Sequence, residues 1–218
     1  MKKTAIILGA SGATGTELLK LLLVDDRYKT IKLFSRKKSH VAHLKIKEYI
    51  GDLFNLNAFA EDFIADEVYC CIGTTQKQTP DENLYRKIDF GIPIAAAQLS
   101  KQNNIPTFLI ISSIGANANS NTFYTKTKGE MENEVSKTFI KRTFIFRPSL
   151  LLRNTKESRF FESLAGEVMT RISFLFMGSL KKYRAIKTET VALAMIRTAN
   201  SNKKSKRFLS DEIQHIGS

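Results

Sequence analysis

The chain has no tryptophan, only four prolines, three histidines and two cysteines among its 218 residues, and these scarcities remove whole classes of protein. Cys70 and Cys71 are adjacent, so they frame no disulfide scaffold, and no Cys/His group at zinc spacing accompanies them; a structural or catalytic metal is not expected. His40, His43 and His215 lack metal partners at useful spacing and read as surface residues. Long uninterrupted apolar runs are missing as well. Met1-Lys2-Lys3 followed by Ala5 to Leu8 imitates the start of a secretory signal, but Gly9, Gly12 and Gly15 break it up. The apolar patches between Phe160 and Leu180 carry Glu162, Glu167 and Arg171, which a membrane-spanning helix of about 20 residues rarely tolerates. A cytoplasmic location with no membrane partner is expected.

What is present is the balance of a folded domain: 43% hydrophobic and 25% charged residues. A chain of this length buries roughly 70% of its unfolded surface and needs no covalent staple. Acidic residues thin out toward the end. Residues 1–136 hold 17 Lys and Arg against 15 Asp and Glu, whereas residues 137–218 hold 17 against 6. Nearly all of the net charge of +13 therefore sits in the last third. Such a surplus concentrates anions, which suits an anionic small-molecule substrate or an acidic protein partner. No aromatic-basic single-strand motif accompanies it, so nucleic acid is not the expected partner.

Thr4 to Leu8 is a short apolar run ending in glycine, Thr14 to Leu23 repeats apolar residues at helical spacing, and Thr30 to Phe34 reads as a second strand. Strand-like runs recur at Glu67 to Ile72, Phe108 to Ile111 and Thr143 to Phe146, separated by helical patterns such as Phe90 to Ser100 and Tyr124 to Val135. The alternation predicts an α/β fold of Rossmann type: a doubly wound parallel sheet with right-handed crossovers and ligands at the carboxyl ends of its strands. No repeat or linker divides the chain, so a single domain over 1–218 is expected. After Pro148 the pattern loosens. Phe160 to Ile172 and Glu189 to Thr198 look helical, Arg207 to Leu209 looks like a last strand, and residues 149–218 are expected to include a small C-terminal cap.

Gly9-Ala10-Ser11-Gly12-Ala13-Thr14-Gly15 lies between the first strand and the first helix. Glycines there let the backbone turn tightly and bring peptide N–H groups to a pyrophosphate. The end of the second strand then selects the dinucleotide, because a carboxylate meets a ribose 2′-hydroxyl and an arginine meets a 2′-phosphate. Ser35, Arg36 and Lys37 stand there with no carboxylate among them, so NADP(H) is expected over NAD(H). Asp52 and Leu53, after a third strand, are candidates for the adenine amino group and ring. Cys71, Ile72, Gly73 and Thr74 follow the fourth strand and are small enough for backbone to run beside a ribose, while Cys70 reads as a buried apolar side chain.

Ser112 and Ser113 follow the strand at Phe108 to Ile111, and eleven residues after Ser113 comes Tyr124, with Lys128 four further on. On a helix that spacing puts phenol and ammonium on one face, so the ammonium stabilises a phenolate whose ordinary pKa is about 10. Such a phenol exchanges a proton with a substrate oxygen while a strand-end serine hydrogen-bonds the same oxygen, and a nicotinamide supplies the hydride.

These motifs resemble the short-chain dehydrogenase/reductase superfamily in its atypical, extended branch. More narrowly the chain resembles the Tat-interacting-protein-type oxidoreductases: Cys71-Ile-Gly-Thr-Thr, Ser112-Ser-Ile-Gly-Ala, Tyr124 to Glu130, Phe146-Arg-Pro-Ser-Leu-Leu-Leu, Glu157-Ser-Arg and the Ile213 to Gly217 tail fall in that order and spacing. The resemblance implies a Rossmann-fold NADPH binder with Tyr124 as proton donor or acceptor, Lys128 as its partner and Ser112 or Ser113 as the polarising hydroxyl. It also implies Arg36 at the 2′-phosphate, and Pro148, Leu150 and Leu151 beside the nicotinamide. Asp89 stands where an asparagine often relays protons in the superfamily, which keeps a second reading open, a non-catalytic NADPH-sensing regulator. Residues that read the substrate are expected in Gln76 to Leu84 and Thr155 to Arg184, with Lys181, Lys182, Arg184 and Lys187 drawing an anion toward the carboxyl edge of the sheet. A monomer or a homodimer paired through the helix at Tyr124 to Val135 is expected.

Overall fold

The computed structural model describes residues 2–152 and 178–218. The helix expected at Phe160 to Ile172 and most of the segment at Thr155 to Arg184 lie outside the described residues.

Seven strands form one parallel sheet. In chain order they are β1 (Lys3–Leu8), β2 (Tyr28–Ser35), β3 (Ile46–Ile50), β4 (Glu67–Cys70), β5 (Thr107–Ile111), β6 (Arg142–Arg147) and, last, Lys206–Leu209; β7 (Leu151–Leu152) and β8 (Ile186–Lys187) pair separately, so the last strand is β9. The spatial order is β3-β2-β1-β4-β5-β6-β9. The order reverses between β1 and β4, and in a doubly wound sheet that crevice, at the carboxyl ends, is where ligands bind. Helices cover both faces: α1 (Ala13–Val24) and α5 (Thr188–Ala199) on one, α3 (Ile92–Gln102) and α4 (Phe123–Ser136) on the other, with the short α2 (Glu82–Arg86) leading into α3 and α6 (Ser210–Gly217) packed on α5.

The period-two alternation of β1 assigns its side chains to the two cores. Ala5 and Ile7 join Leu18, Leu19 and Leu22 of α1 and Val191, Ala192 and Met195 of α5. Ile6 and Leu8 join Phe34, Ile92, Ala96, Met131 and Val135. All four β1 side chains are fully buried, which explains why the run reads as continuously apolar.

Sequence and structure differ in instructive places. The helix expected from Phe90 starts at Glu82, capped by the Asp81 carboxylate, which accepts the Leu84 N–H at 2.8 Å. It reaches Ile92 through a π-turn at Lys87–Gly91. Pro93 stands in the first turn of α3, where a missing N–H costs nothing. The last strand and Thr188–Ala199 belong to the main sheet and its helical layer, leaving β7, β8 and residues 178–183 outside it.

At the amino end of the sheet a polar knot is closed off. Glu67 is buried and accepts the hydroxyls of Tyr28 (2.7 Å) and Tyr69 (2.8 Å) and the Lys3 ammonium (2.5 Å). Asn200, at the end of α5, donates to the Tyr28 oxygen and accepts from Lys3. Burial, reinforced by the Glu67 charge, pushes both phenols well above their ordinary range. Among the described residues no helix is long and apolar enough to cross a membrane.

Candidate functional site

At the carboxyl end of β1 the chain turns through Gly9, whose φ of +82° is left-handed and whose missing side chain leaves room for the Cys71 carbonyl; a Cβ there would lie 2.7 Å from it. Gly15, one turn into α1, packs directly on the Gly9 carbonyl, where any Cβ would collide. The Gly12 N–H donates to the Gly9 carbonyl at 3.0 Å and the Thr16 hydroxyl to the Ala10 carbonyl at 3.1 Å, fixing the loop. Gly12 occupies the N-cap position and no side chain caps the helix. The first-turn amides of Ala13, Thr14 and Gly15 thus front a cradle in which Ser11 is exposed, the arrangement that takes a phosphate.

Beside the cradle, at the end of β2, the Ser35 hydroxyl donates to the Lys37 carbonyl at 2.7 Å, and the Arg36 and Lys37 side chains are exposed. The Ser35 carbonyl accepts the Gly51 N–H, which brings Asp52 alongside. The Asp52 carboxylate accepts the Phe54 N–H at 2.9 Å and so caps the short helix that follows. Leu53 is 5% exposed and packs with Phe34 in the second core.

The loop after β4 ties the cradle to the catalytic candidates. Cys71 donates its N–H to the Leu8 carbonyl at 2.9 Å. Burial pushes both thiols up, that of Cys70 to about 12, so neither is a ready thiolate near neutrality. Gly73 faces Asp89 and Lys128: a Cβ on it would sit 3.6 Å from Asp89 Oδ1 and 3.8 Å from Lys128 Nζ. Asp89, 0% exposed within the π-turn, pairs with the Lys128 ammonium at 2.7 Å and accepts the Thr74 N–H at 2.8 Å. Lys128 is itself 4% exposed. The Tyr85 hydroxyl reaches Asp89 Oδ1 at 3.4 Å, and burial together with that carboxylate drives it well upward. The Tyr85 ring meets Tyr124 edge-on at 6.3 Å between centroids, and Tyr124 is half-buried.

The two serines have different partners. Ser112 is buried and donates to Glu132 Oε1 at 2.6 Å. Ser113 is half-buried, and among the described residues its hydroxyl meets only its neighbour's carbonyl, that of Ile114, at 3.2 Å. Beyond β6, Pro148 is buried, Leu151 packs on the first core and Leu150 is 67% exposed. The Ile186 N–H donates to the Leu150 carbonyl, which puts β8, with Lys187, and the preceding Lys181, Lys182 and Arg184 at this same end. Lys203, Lys204 and Lys206 lie instead at the other end, where β9 begins beside the start of β6, so the basic surplus is divided between opposite rims. Tyr85, Glu132 and Arg147 were missed as site neighbours. A charged residue continuing the Tyr124, Lys128 series at a spacing of four, on the face the core buries, was the available signal for Glu132.

The model of the NAD(P)H-binding family matches residues 9–201. Protein HTATIP2 of Rattus norvegicus is 31% identical over 225 aligned positions, which cover 99% of this chain and 89% of the relative. Protein FMP52, mitochondrial, of Debaryomyces hansenii is 28% identical over 206 positions, covering 90% and 88%. Among solved structures, the Bordetella bronchiseptica enzyme WbmH in complex with NAD+ superposes with a TM-score of 0.72 at 14% identity, over 100% of this chain and 80% of that one. The UDP-N-acetylglucosamine 4-epimerase from Methanobrevibacter ruminantium M1 in complex with UDP-N-acetylmuramic acid gives 0.70 at 14%, over 96% and 77%. At such identities the likeness is one of fold.

Proposed function

Because the chain belongs to the NAD(P)H-binding family, as an HTATIP2-like member of the atypical short-chain dehydrogenases/reductases, we propose that it is an NADPH-dependent oxidoreductase interconverting a small carbonyl compound and its alcohol. The observation that carries this reading is that the Gly73 loop, which lies against the Gly9 cradle, also abuts the buried Lys128 ammonium. A dinucleotide held by the cradle would have Gly73 and Lys128 along its path. The residues fit it: the turn closes tightly because Gly9 and Gly15 carry no Cβ to collide with the Cys71 and Gly9 carbonyls, and the uncapped amides of α1 suit a pyrophosphate.

In this reading Arg36, with Ser35 and Lys37, meets the 2′-phosphate; Asp52 and Leu53 border the adenine; Cys71 to Thr74 run beside the ribose; and Pro148, Leu150 and Leu151 flank the nicotinamide. The nicotinamide supplies a hydride when bound. Tyr124 gives its hydroxyl proton to the substrate oxygen, and Lys128, held by Asp89, sits one helical turn away. Ser113 donates to the same oxygen, since the Ser112 hydroxyl is committed to Glu132. Lys181, Lys182, Arg184 and Lys187 favour an anionic substrate or an acidic protein at this rim. The two free thiols suit a reducing compartment such as the cytoplasm.

The Asp89–Lys128 pair favours a second reading, an NADPH-sensing regulator, because a carboxylate already meets the ammonium's charge. A panel of aldehydes, ketones and quinones separates the two. The enzyme reading expects NADPH oxidation with at least one of them and a loss of about a hundredfold in kcat for Tyr124→Phe, with nucleotide affinity kept. Tight NADPH binding with no oxidation above background across the panel would overturn it in favour of the regulator.

A further inference from the structure

Glu132 lies on the same face of α4 as Tyr124 and Lys128, four residues beyond Lys128, and is 1% exposed. Four hydrogen bonds converge on its carboxylate. Oε1 accepts from Ser112 Oγ (2.6 Å) and Arg147 Nε (2.8 Å); Oε2 accepts from Arg147 Nη2 (2.5 Å) and Arg207 Nε (3.0 Å). These donors stand on three separate pieces of chain. Ser112 follows β5, Arg147 ends β6 and Arg207 lies in β9. One side chain of α4 therefore grips the carboxyl ends of β5 and β6 together with the edge strand. A buried carboxylate between arginines is expensive to desolvate and adds little net stability over apolar packing, but it tolerates only one register of the elements it joins.

The register concerns the reacting groups. Ser113 follows Ser112 directly, the Ser112 N–H donates to the Phe146 carbonyl at 2.7 Å and the Ile114 N–H to the Pro148 carbonyl at 2.9 Å. The hydroxyl loop and the Pro148 to Leu151 segment are thus laced together, and Glu132 is the tie from that lacing to the helix that carries Tyr124. We propose that Glu132 is a positioning residue: its carboxylate clamp holds Ser113 in place against Tyr124 and Lys128, with Ser112 serving as the strut. The proposal rests on the reading of Tyr124, Lys128 and Ser113 as the reacting groups.

The test replaces the ion pair by apolar side chains of similar reach, Glu132→Met with Arg147→Met; Arg207, whose side chain is 46% exposed, can turn to water. Such swaps commonly preserve a fold. The double variant is expected to keep its thermal midpoint and NADPH affinity, to exchange the amide hydrogens of Ser112, Ile114 and Ala116 about tenfold faster, and to lose about a hundredfold in kcat at unchanged KM for NADPH. Parental exchange at these amides overturns the proposal, and so does faster exchange with parental kcat, which would make the clamp purely structural. If the parent protein reduces no carbonyl on the panel, the functional reading falls, while the exchange of these amides still decides whether the clamp exists. Should the double variant fail to fold, Ser112→Ala removes the strut alone. It is expected to speed exchange at Ile114 and to lower kcat about tenfold, and no change in either overturns the proposal.

Discussion

The two ends of the parallel sheet are built from the same strands and finished in opposite ways. At the amino end a buried polar cluster is answered from within: Glu67 takes two phenols and an ammonium, and Asn200 closes the ring. At the carboxyl end α1 begins with no side-chain cap, Arg36 stands exposed, and Gly9 and Gly15 let the loop turn closely on its own backbone. A rim with its hydrogen bonds satisfied internally is a device for stability, and one with donors left over is a device for binding. The difference teaches where in this chain a substitution should cost folding and where it should cost a ligand.

The contrast breaks most visibly at Glu67. Glu67→Ala leaves Lys3 and two buried phenols without their acceptor and should cost about 3 kcal/mol, or roughly 6–12 °C in Tm for a chain of this size; scanning calorimetry should find NADPH affinity unchanged. Gly15→Leu should strike both, because its Cβ meets the Gly9 carbonyl and forces the turn apart: Tm falls and NADPH affinity drops at least about a hundredfold, or 2.8 kcal/mol; titration calorimetry that finds parental affinity removes the glycine loop from the site. Arg36→Ala should lower NADPH affinity about tenfold, close to 1.4 kcal/mol, and leave NADH affinity where it was. Equal losses for the two nucleotides would deny Arg36 its phosphate. The smallest effect is expected from charge reversal at Lys181 and Lys182, which should abolish a preference of about threefold for 4-carboxybenzaldehyde over benzaldehyde and its salt dependence without touching NADPH binding. A preference that survives reversal would assign those lysines to solvation alone.

The glycine loop, the strand ends and the Tyr124–Lys128 spacing are legible in the sequence because each is local: strand, turn and helix follow one another within a few residues. What is not legible is set by partners far away in the chain. Ser112 and Ser113 are indistinguishable as neighbours, and only the carboxylate of Glu132, 20 residues on, separates them. The basic third reads as one surplus, yet the parallel pairing of β9 with β6 carries Lys203 and Lys204 to the rim opposite Lys181 and Lys182. That Leu53 also packs beside Phe34 in the second core depends on a residue 19 positions earlier in the chain. The helix at Glu82 reaches α3 only through a π-turn, whose extra residue breaks the spacing of 3.6 that a helix would show in the sequence.

That turn has a further consequence, for the length of the chain rather than its composition. A π-turn carries one more residue than the α-helical ladder on either side of it, and each residue of a helix advances the phase by about 100°. Loss of a single residue from Lys87–Gly91 would restore a regular helix and rotate Glu82–Arg86 by that angle against α3. Tyr85 would swing out from beneath Tyr124, and Asp89 would no longer face Lys128. The residue count of Lys87–Gly91 thus constrains the site as much as the Asp89 carboxylate it carries, and an insertion or deletion there would mark a chain whose site is assembled in another way.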